Sequence, residues 1–176
     1  MPRTEFDCSC GRRHNFSVHD MAIGKGAIEE LPRMAEPFKD GKILMVFDNN
    51  TYRVAGKKAA ELLKNHGFQV KELLFDVGGD ILLPDEKTLG RVLQEQDLDV
   101  KLMIAVGSGV LNDSVKFVTS RTKLPYIIVA TAPSMDGYVA DGAPIISHGY
   151  KYSPVAHLTY GLIGDTDILQ TAPQDL

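Results

Sequence analysis

The stretch LMIAVGSGVLNDSVKFV, residues 102 to 118, carries an apolar run into Gly107, Ser108 and Gly109 and out through Val110 and Leu111 into a segment with helical spacing. That order of residue types suits phosphate. Glycine lacks a Cβ, so the backbone can take φ > 0 and a ligand can approach it closely, while the unpaired N–H groups of the following helix point at whatever sits on the bend. An anion in such a place gains up to about 2 kcal/mol in partly buried geometry. Ser108 adds a hydroxyl, Asn112 and Asp113 are expected to cap the helix, and Lys116 is placed to pair with Asp113. Two readings stay open at this bend. G-S-G lacks the third glycine of the G-x-G-x-x-G fingerprint, and strand-to-helix turns often carry glycine merely to turn.

A second loop, ATAPSMDGYVADG at residues 130 to 142, offers Thr131, Ser134, Asp136 and Asp141. Hydroxyls and carboxylates beside a phosphate cradle suit a nucleotide and a polyol; equally, Ser134 and Asp136 suit turn-making through side-chain to backbone hydrogen bonds. Asp48 ends another apolar run. Its carboxylate can accept hydrogen bonds from ribose hydroxyls and would repel a 2′-phosphate, favouring NAD over NADP, or it can cap the helix that follows.

These residues need a scaffold that brings strand ends to one edge. KILMVF (42 to 47), FQVKELLF (68 to 75), VKLMIAV (100 to 106) and PYIIVA (125 to 130) read as strands. Between them, helices are predicted over 51 to 66 with Gly67 as its stop, from Pro84 with Asp85 and Glu86 in its first turn, and over 110 to 121. Leu89, Val92 and Leu93 are expected on the buried face of the second of these. The alternation implies parallel crossovers and a Rossmann-like α/β fold with an open, mainly parallel sheet. Upstream, residues 15 to 24 read as a strand and 27 to 34 as a short helix disturbed by Pro32. Downstream, residues 143 to 164 read as a β-hairpin appended to the sheet, and 166 to 173 as a helical turn.

The chain of 176 residues is of single-domain length, and its net charge of −4 without a Lys/Arg cluster argues against a nucleic-acid partner. No segment carries the apolar core of a secretion signal or about 18 apolar residues in a row, so neither a membrane partner nor export is expected and a cytoplasmic location is. The two cysteines, Cys8 and Cys10, are too close for an ordinary disulfide and miss the C-x2-C spacing of zinc sites. A polar N-terminal strand with free thiols is the preferred reading; a metal site with His14 and His19 is the other.

DNNTYRVAG (48 to 56), VGSGVLNDSVKF (106 to 117) and TAPSMDGYVADGAPI (131 to 145) together resemble the N-terminal half of the sn-glycerol-1-phosphate dehydrogenases, within the superfamily of iron-containing alcohol dehydrogenases, glycerol dehydrogenases and dehydroquinate synthases. The resemblance runs from CSCGRRH to IGDTDILQTAP. It implies an NAD or NADP cofactor, with Asp48 on its adenosine part and Gly107, Ser108, Gly109, Val110 and Leu111 on its pyrophosphate. Thr131, Ala132, Pro133 and Ser134 would line the cofactor site, and Asp136 would contact a phosphorylated polyol. Ala140 stands where the family usually has a cofactor-contacting serine.

By the same resemblance, a divalent metal (Zn, Ni or Fe) is held by an aspartate and two histidines of a second, mostly helical domain. The aspartate would follow shortly after Ala172-Pro173-Gln174-Asp175-Leu176. The expectation is therefore a single cofactor-binding domain over 1 to 176 with no catalytic metal, binding cofactor without turnover, in which Asp165 and Asp167 are helix caps. A covering domain's absence would expose apolar surface, so self-association through residues 143 to 176 is expected. The alternatives are a non-catalytic nucleotide-binding or interaction protein of the same fold, and a flavodoxin-like or sugar-phosphate module.

Overall fold

The computed structural model of the chain describes residues 5–15 and 18–173; Phe16 and Ser17 of the first predicted strand, and Gln174 to Leu176, lie outside the described residues. Six strands form the main sheet: β3 (Asp20–Gly24), β4 (Lys42–Asp48), β5 (Gln69–Phe75), β6 (Val100–Gly107), β7 (Tyr126–Ala130) and β10 (Gly161–Asp165). Their spatial order is β3-β10-β7-β6-β4-β5, and every neighbouring pair is parallel. Two short antiparallel hairpins stand apart from it, β1 (Glu5–Asp7) with β2 (Arg13–Asn15) and β8 (Ile145–Ser147) with β9 (Tyr150–Tyr152).

The buried strands are apolar on both faces because helices cover both. Alternate residues of β4 point opposite ways. Ile43, Met45 and Phe47 pack with Ile28, with Leu31 and Met34 of α1 (Leu31–Ala35), and with Ala59 and Leu63 of α3 (Lys57–Asn65), which follows the short α2 (Asn49–Thr51). Leu44 and Val46 pack on the other side with Leu89 and Val92 of α4 (Glu86–Gln94) and Leu111, Val115 and Val118 of α5 (Gly109–Thr122). Each of these side chains larger than alanine stabilises by about 1.5–3 kcal/mol on burial. From β4 the chain runs through α3 to β5 on one flank, then returns through α4 to β6 on the other flank. The carboxyl ends of β4 and β6 therefore border the crevice where the strand order reverses, which is where open α/β sheets bind ligands.

Several predicted elements differ in detail. Pro32 lies in the first turn of α1 instead of disturbing it, since its missing N–H would have no intrahelical acceptor there. The helix predicted over 51 to 66 is broken by a π-type turn, Tyr52–Gly56, which sets Tyr52 against Phe47 with ring centroids 4.9 Å apart. Asp85 lies one place before α4 and caps it by accepting from Thr88 N–H at 2.9 Å, and Leu93 is exposed.

The larger correction concerns residues 143 to 164. Only 145 to 152 form the hairpin, which fastens to the start of α4 through Ile146 N–H and the Pro84 carbonyl at 2.8 Å. Residues 161 to 165 instead enter the sheet as β10, fully buried between β3 and β7. Gly161 and Gly164 dilute the apolar run in sequence, yet a Cβ on Gly161 would collide with the Met34 sulfur.

Asp165, at the end of β10, caps α6 (Thr166–Leu169) through Asp167 N–H at 3.0 Å, as the sequence suggests, and also accepts from Gly26 N–H at 3.2 Å and Ile28 N–H at 3.1 Å. It is 2% exposed. Asp165→Asn keeps the oxygen that serves Gly26 and Asp167 but turns an amide N–H toward Ile28 N–H. Chemical denaturation should show a loss of about 2–3 kcal/mol, the cost of removing a hydrogen bond to a charged group in a buried site.

Candidate functional site

A cleft of about 650 Å³ opens at the crevice, bordered by Asp48 and Arg53 beyond β4, Asp80 to Leu82 beyond β5, Ser108, Val110 and Leu111 beyond β6, and Thr131 and Ala132 beyond β7. Local chemistry sets each wall. The Asp48 carboxylate is a helix cap: its Oδ1 accepts from Asn50 N–H at 2.9 Å and Thr51 N–H at 2.8 Å, while Thr51 Oγ1 accepts from Asp48 N–H at 3.0 Å. Both readings of Asp48 are compatible, because capping uses one oxygen and the residue still borders the cleft.

Ser108 precedes α5 with φ −115° and ψ −143°, and its side chain makes no capping hydrogen bond. Its carbonyl accepts from Asn112 N–H at 2.9 Å, which begins the helix ladder. The N–H groups of Gly109, Val110 and Leu111 precede that first bond and have no intrahelical acceptor. By contrast, aspartates cap α2, α4 and α6. The 14-residue helix thus brings uncapped amide dipoles to the edge of the cleft, the arrangement that favours an anion.

The two glycines serve this differently from the sequence expectation, because neither takes positive φ. A Cβ on Gly107 would lie 2.6 Å from Leu111 Cδ1 and 2.9 Å from Leu111 Cβ, so Gly107 lets α5 dock against the end of β6. A Cβ on Gly109 would meet only Met135 Sδ, at 3.5 Å. Open space, not packing, surrounds it. Asn112 and Asp113 do not cap α5 either; both lie within the helix, and Asn112 is fully buried.

The sequence-predicted site residues divide between two depressions. Asp48, Ser108, Val110, Leu111, Thr131 and Ala132 border the cleft, whereas Pro133 and Asp136 border a neighbouring apolar groove of about 300 Å³ with Met21, Ile23 and Met135. Ala132 borders both, and Gly107, Gly109, Ser134 and Ala140 border neither. Thr131 N–H donates to the Gly107 carbonyl at 3.1 Å, which ties the loops after β6 and β7 together.

Two residues, Arg53 and Tyr138, escaped the sequence reading, as did the loop-fastening role of Lys116. Arg53 puts a cation at the cleft beside Asp48. Tyr138 donates its hydroxyl to the Ala132 carbonyl at 2.8 Å, and burial pushes that phenol up to about 12, so it stays a donor. Lys116, fully buried, donates to the carbonyls of Gly137 at 2.7 Å, Ala140 at 3.0 Å and Gly142 at 3.2 Å, and so fastens the second loop onto α5. Its ammonium does approach the Asp113 carboxylate, at 4.0 Å, as the spacing suggests.

Burial lowers Lys116 and raises Asp113 to about 6 despite that neighbour. An acid whose folded pKa exceeds its unfolded value of about 3.9 favours folding below the unfolded value, and the benefit is lost as pH rises through the folded one. The carboxylates held low by partners, Asp20, Asp76, Glu86 and Asp97, act in the opposite sense at lower pH. Stability should therefore fall between about pH 4 and pH 6, and Asp113→Asn should flatten that segment in a series of urea melts.

Among the described residues, one group of three His, Cys, Asp or Glu side chains has mutually close ligand atoms, Cys8, Cys10 and His14, and none of these borders the cleft. No helix among the described residues is long and apolar enough to cross a membrane.

Known proteins share both the sequence pattern and the fold. The glycerol-1-phosphate dehydrogenases [NAD(P)+] of Bacillus licheniformis and Bacillus subtilis are each 36% identical to this chain, over 96% and 92% of its length. The chain in turn spans 43% and 41% of those curated relatives. Among solved structures, an iron-containing alcohol dehydrogenase from Thermococcus thioreducens superposes with a TM-score of 0.77 at 16% identity, over 91% of this chain and 49% of that one. Glycerol dehydrogenase from Schizosaccharomyces pombe gives 0.73 at 20% identity, over 88% and 38%. At such identities the likeness is one of fold. The model of the family described as iron-containing alcohol dehydrogenase matches residues 22–173, and the chain belongs to that family.

Proposed function

We propose that the cleft between β4 and β6 binds a nicotinamide dinucleotide, NAD or NADP, as the cofactor site of a protein that interconverts dihydroxyacetone phosphate and sn-glycerol 1-phosphate. The observation that carries this reading is the uncapped start of α5 beside Asp48 at the strand-order reversal. The pyrophosphate would rest on the N–H groups of Gly109, Val110 and Leu111. The adenosine ribose would meet Asp48, and Thr131, Ala132, Pro133 and Ser134 would flank the nicotinamide end. Asp136, at the apolar groove that adjoins through Ala132, would orient the phosphorylated polyol.

Ala140 can contribute no side-chain hydrogen bond to a cofactor, and its carbonyl is engaged by Lys116. The described residues of the cleft do not form the ligand set of a catalytic divalent metal, so metal-assisted alkoxide stabilisation is assigned to no residue here. What these residues do is bind, orient and exclude water from the dinucleotide.

Asp48 and Arg53 make opposing demands at the ribose. The carboxylate disfavours a 2′-phosphate and the guanidinium favours one. Titration of the chain with NADH and NADPH, followed by nicotinamide fluorescence, tests the proposal: saturable binding of NADH supports it, and no binding of either form would sink it. Asp48→Asn retains an oxygen for the cap while removing the charge. It should lower the NADPH-to-NADH ratio of Kd values by about tenfold, or about 1.4 kcal/mol.

A further inference from the structure

The N-terminal hairpin gathers a cluster that the dinucleotide cleft does not use. β1 and β2 pair with Phe6 opposite His14 and Asp7 opposite Arg13, and residues 8 to 12 make the turn. Cys8 N–H donates to the Arg12 carbonyl at 2.9 Å and Gly11 N–H to the Cys8 carbonyl at 3.0 Å, with Gly11 in the left-handed region at φ 81°. A residue with a Cβ is strained at that φ, so glycine allows the chain to double back this tightly. The result brings both thiols and the imidazole together. One ligand atom from each of Cys8, Cys10 and His14 lies within 4.8 Å of the others, and Cys10 Sγ is 3.2 Å from His14 Nε2.

Second contacts orient the group. The Cys10 N–H points at Cys8 Sγ at 3.5 Å, a bond that favours the thiolate. The His14 ring stacks on Phe6 with centroids 5.4 Å apart, which holds Nε2 toward the sulfurs. His19 belongs elsewhere, edge-on against Tyr160 at 4.6 Å. Both cysteines are free.

Tetrahedral zinc, with Zn–S near 2.3 Å and Zn–N near 2.0–2.1 Å, sets its ligand atoms about 3.6–3.8 Å apart. The Cys10–His14 separation of 3.2 Å is a little under that range and none of the three exceeds 4.8 Å, so small side-chain movements would complete the geometry. The C-x-C spacing alone does not suggest this, but the turn at Gly11 adds a ligand four residues beyond Cys10.

We propose that Cys8 Sγ, Cys10 Sγ and His14 Nε2 bind a thiophilic divalent cation of the Zn2+ type, with its fourth position open to solvent. Two thiol protons leave to solvent as two metal–sulfur bonds form, and the His14 ring keeps its proton on Nδ1. Soft sulfur with imidazole selects such an ion over Mg2+ or Ca2+. The ion would clip a hairpin whose strands are three residues each, too short to hold by pairing alone. This site is independent of the cofactor cleft.

The test uses the whole chain, reduced and freed of metal, with Co2+ as the optical probe. A 1:1 complex is expected, with sulfur-to-cobalt charge-transfer absorption and tetrahedral d–d bands, both displaced by Zn2+. Cys8 and Cys10 are the only cysteines, so a thiolate band can arise nowhere else. Cys10→Ser should abolish the band and weaken Zn2+ binding at least ~100-fold, and His14→Ala should weaken it at least ~10-fold. In the unaltered chain, Zn2+ should also protect both thiols from alkylation, a readout that needs no variant. Alkylation unchanged by Zn2+, a Co2+ complex without the charge-transfer band, or Zn2+ affinity retained in Cys8→Ser/Cys10→Ser would each overturn the proposal.

Discussion

Replacing Gly109 with valine is expected to weaken NADH binding by at least ~100-fold, about 2.7 kcal/mol, while the domain stays folded. The first Cβ atom is tolerated by the protein, since its nearest neighbour would be Met135 Sδ at an ordinary 3.5 Å and the backbone there is already helical. Valine is also a somewhat better helix residue than glycine. What the branched side chain removes is access to the N–H groups at the start of α5. Gly107→Ala is the contrasting variant. There the added carbon meets Leu111 Cβ at 2.9 Å, so α5 must shift and stability falls. Fluorescence titration and thermal melts of the two proteins separate a binding role from a packing role, and unchanged NADH affinity in Gly109→Val would place the diphosphate elsewhere.

Lys116→Met should cost about 3–5 kcal/mol in urea unfolding, the range for breaking a buried charged network. Methionine is close in length and volume, so the loss reports hydrogen bonding and not a cavity. It leaves the carbonyls of Gly137, Ala140 and Gly142 without their shared donor and Asp113 without its nearest cation. For a chain of this size the midpoint of thermal unfolding should fall by about 10 °C. The loop that carries Asp136 would loosen with it. A variant with unaltered stability would show that water serves those carbonyls equally well.

Lys116 also illustrates what could and could not be foreseen. In the sequence it stands three residues after Asp113, the spacing of an ordinary surface pair. Asn112, Ser114, Lys116 and Thr119 are in fact all buried, because the loop after β7 lies over a helix that sequence alone presents with a polar side. Partners more than 20 positions away leave no periodicity to read. β4, β6 and β7 were legible for the opposite reason. Each is a continuous apolar run, buried on both faces, that ends in glycine, a cap or a turn residue.

β10 failed that test, since GLIGD gives two of five places to glycine for the sake of Met34 and Ile23. At the candidate site, the types that chemistry demands were visible at Asp48, Ser108 and Thr131, whereas Arg53 was hidden in what reads as a plain helix. The reason for Gly107 was also invisible, because the residue it makes room for, Leu111, becomes its neighbour only once α5 folds back.

The π-type turn at Tyr52–Gly56 has a bearing on how this protein can change length. Such a turn holds one residue more than regular winding, and each residue of an α-helix advances the angle by about 100°. Excising a single amino acid there would restore even pitch and cost little backbone bonding. It would also swing Asn50 and Arg53 around the axis relative to Ala59 and Leu63, which are anchored in the interior. A one-codon deletion in this segment would thus keep Ala59 and Leu63 seated while disturbing the contact of Tyr52 with Phe47 and reshaping the lip where a ribose would sit.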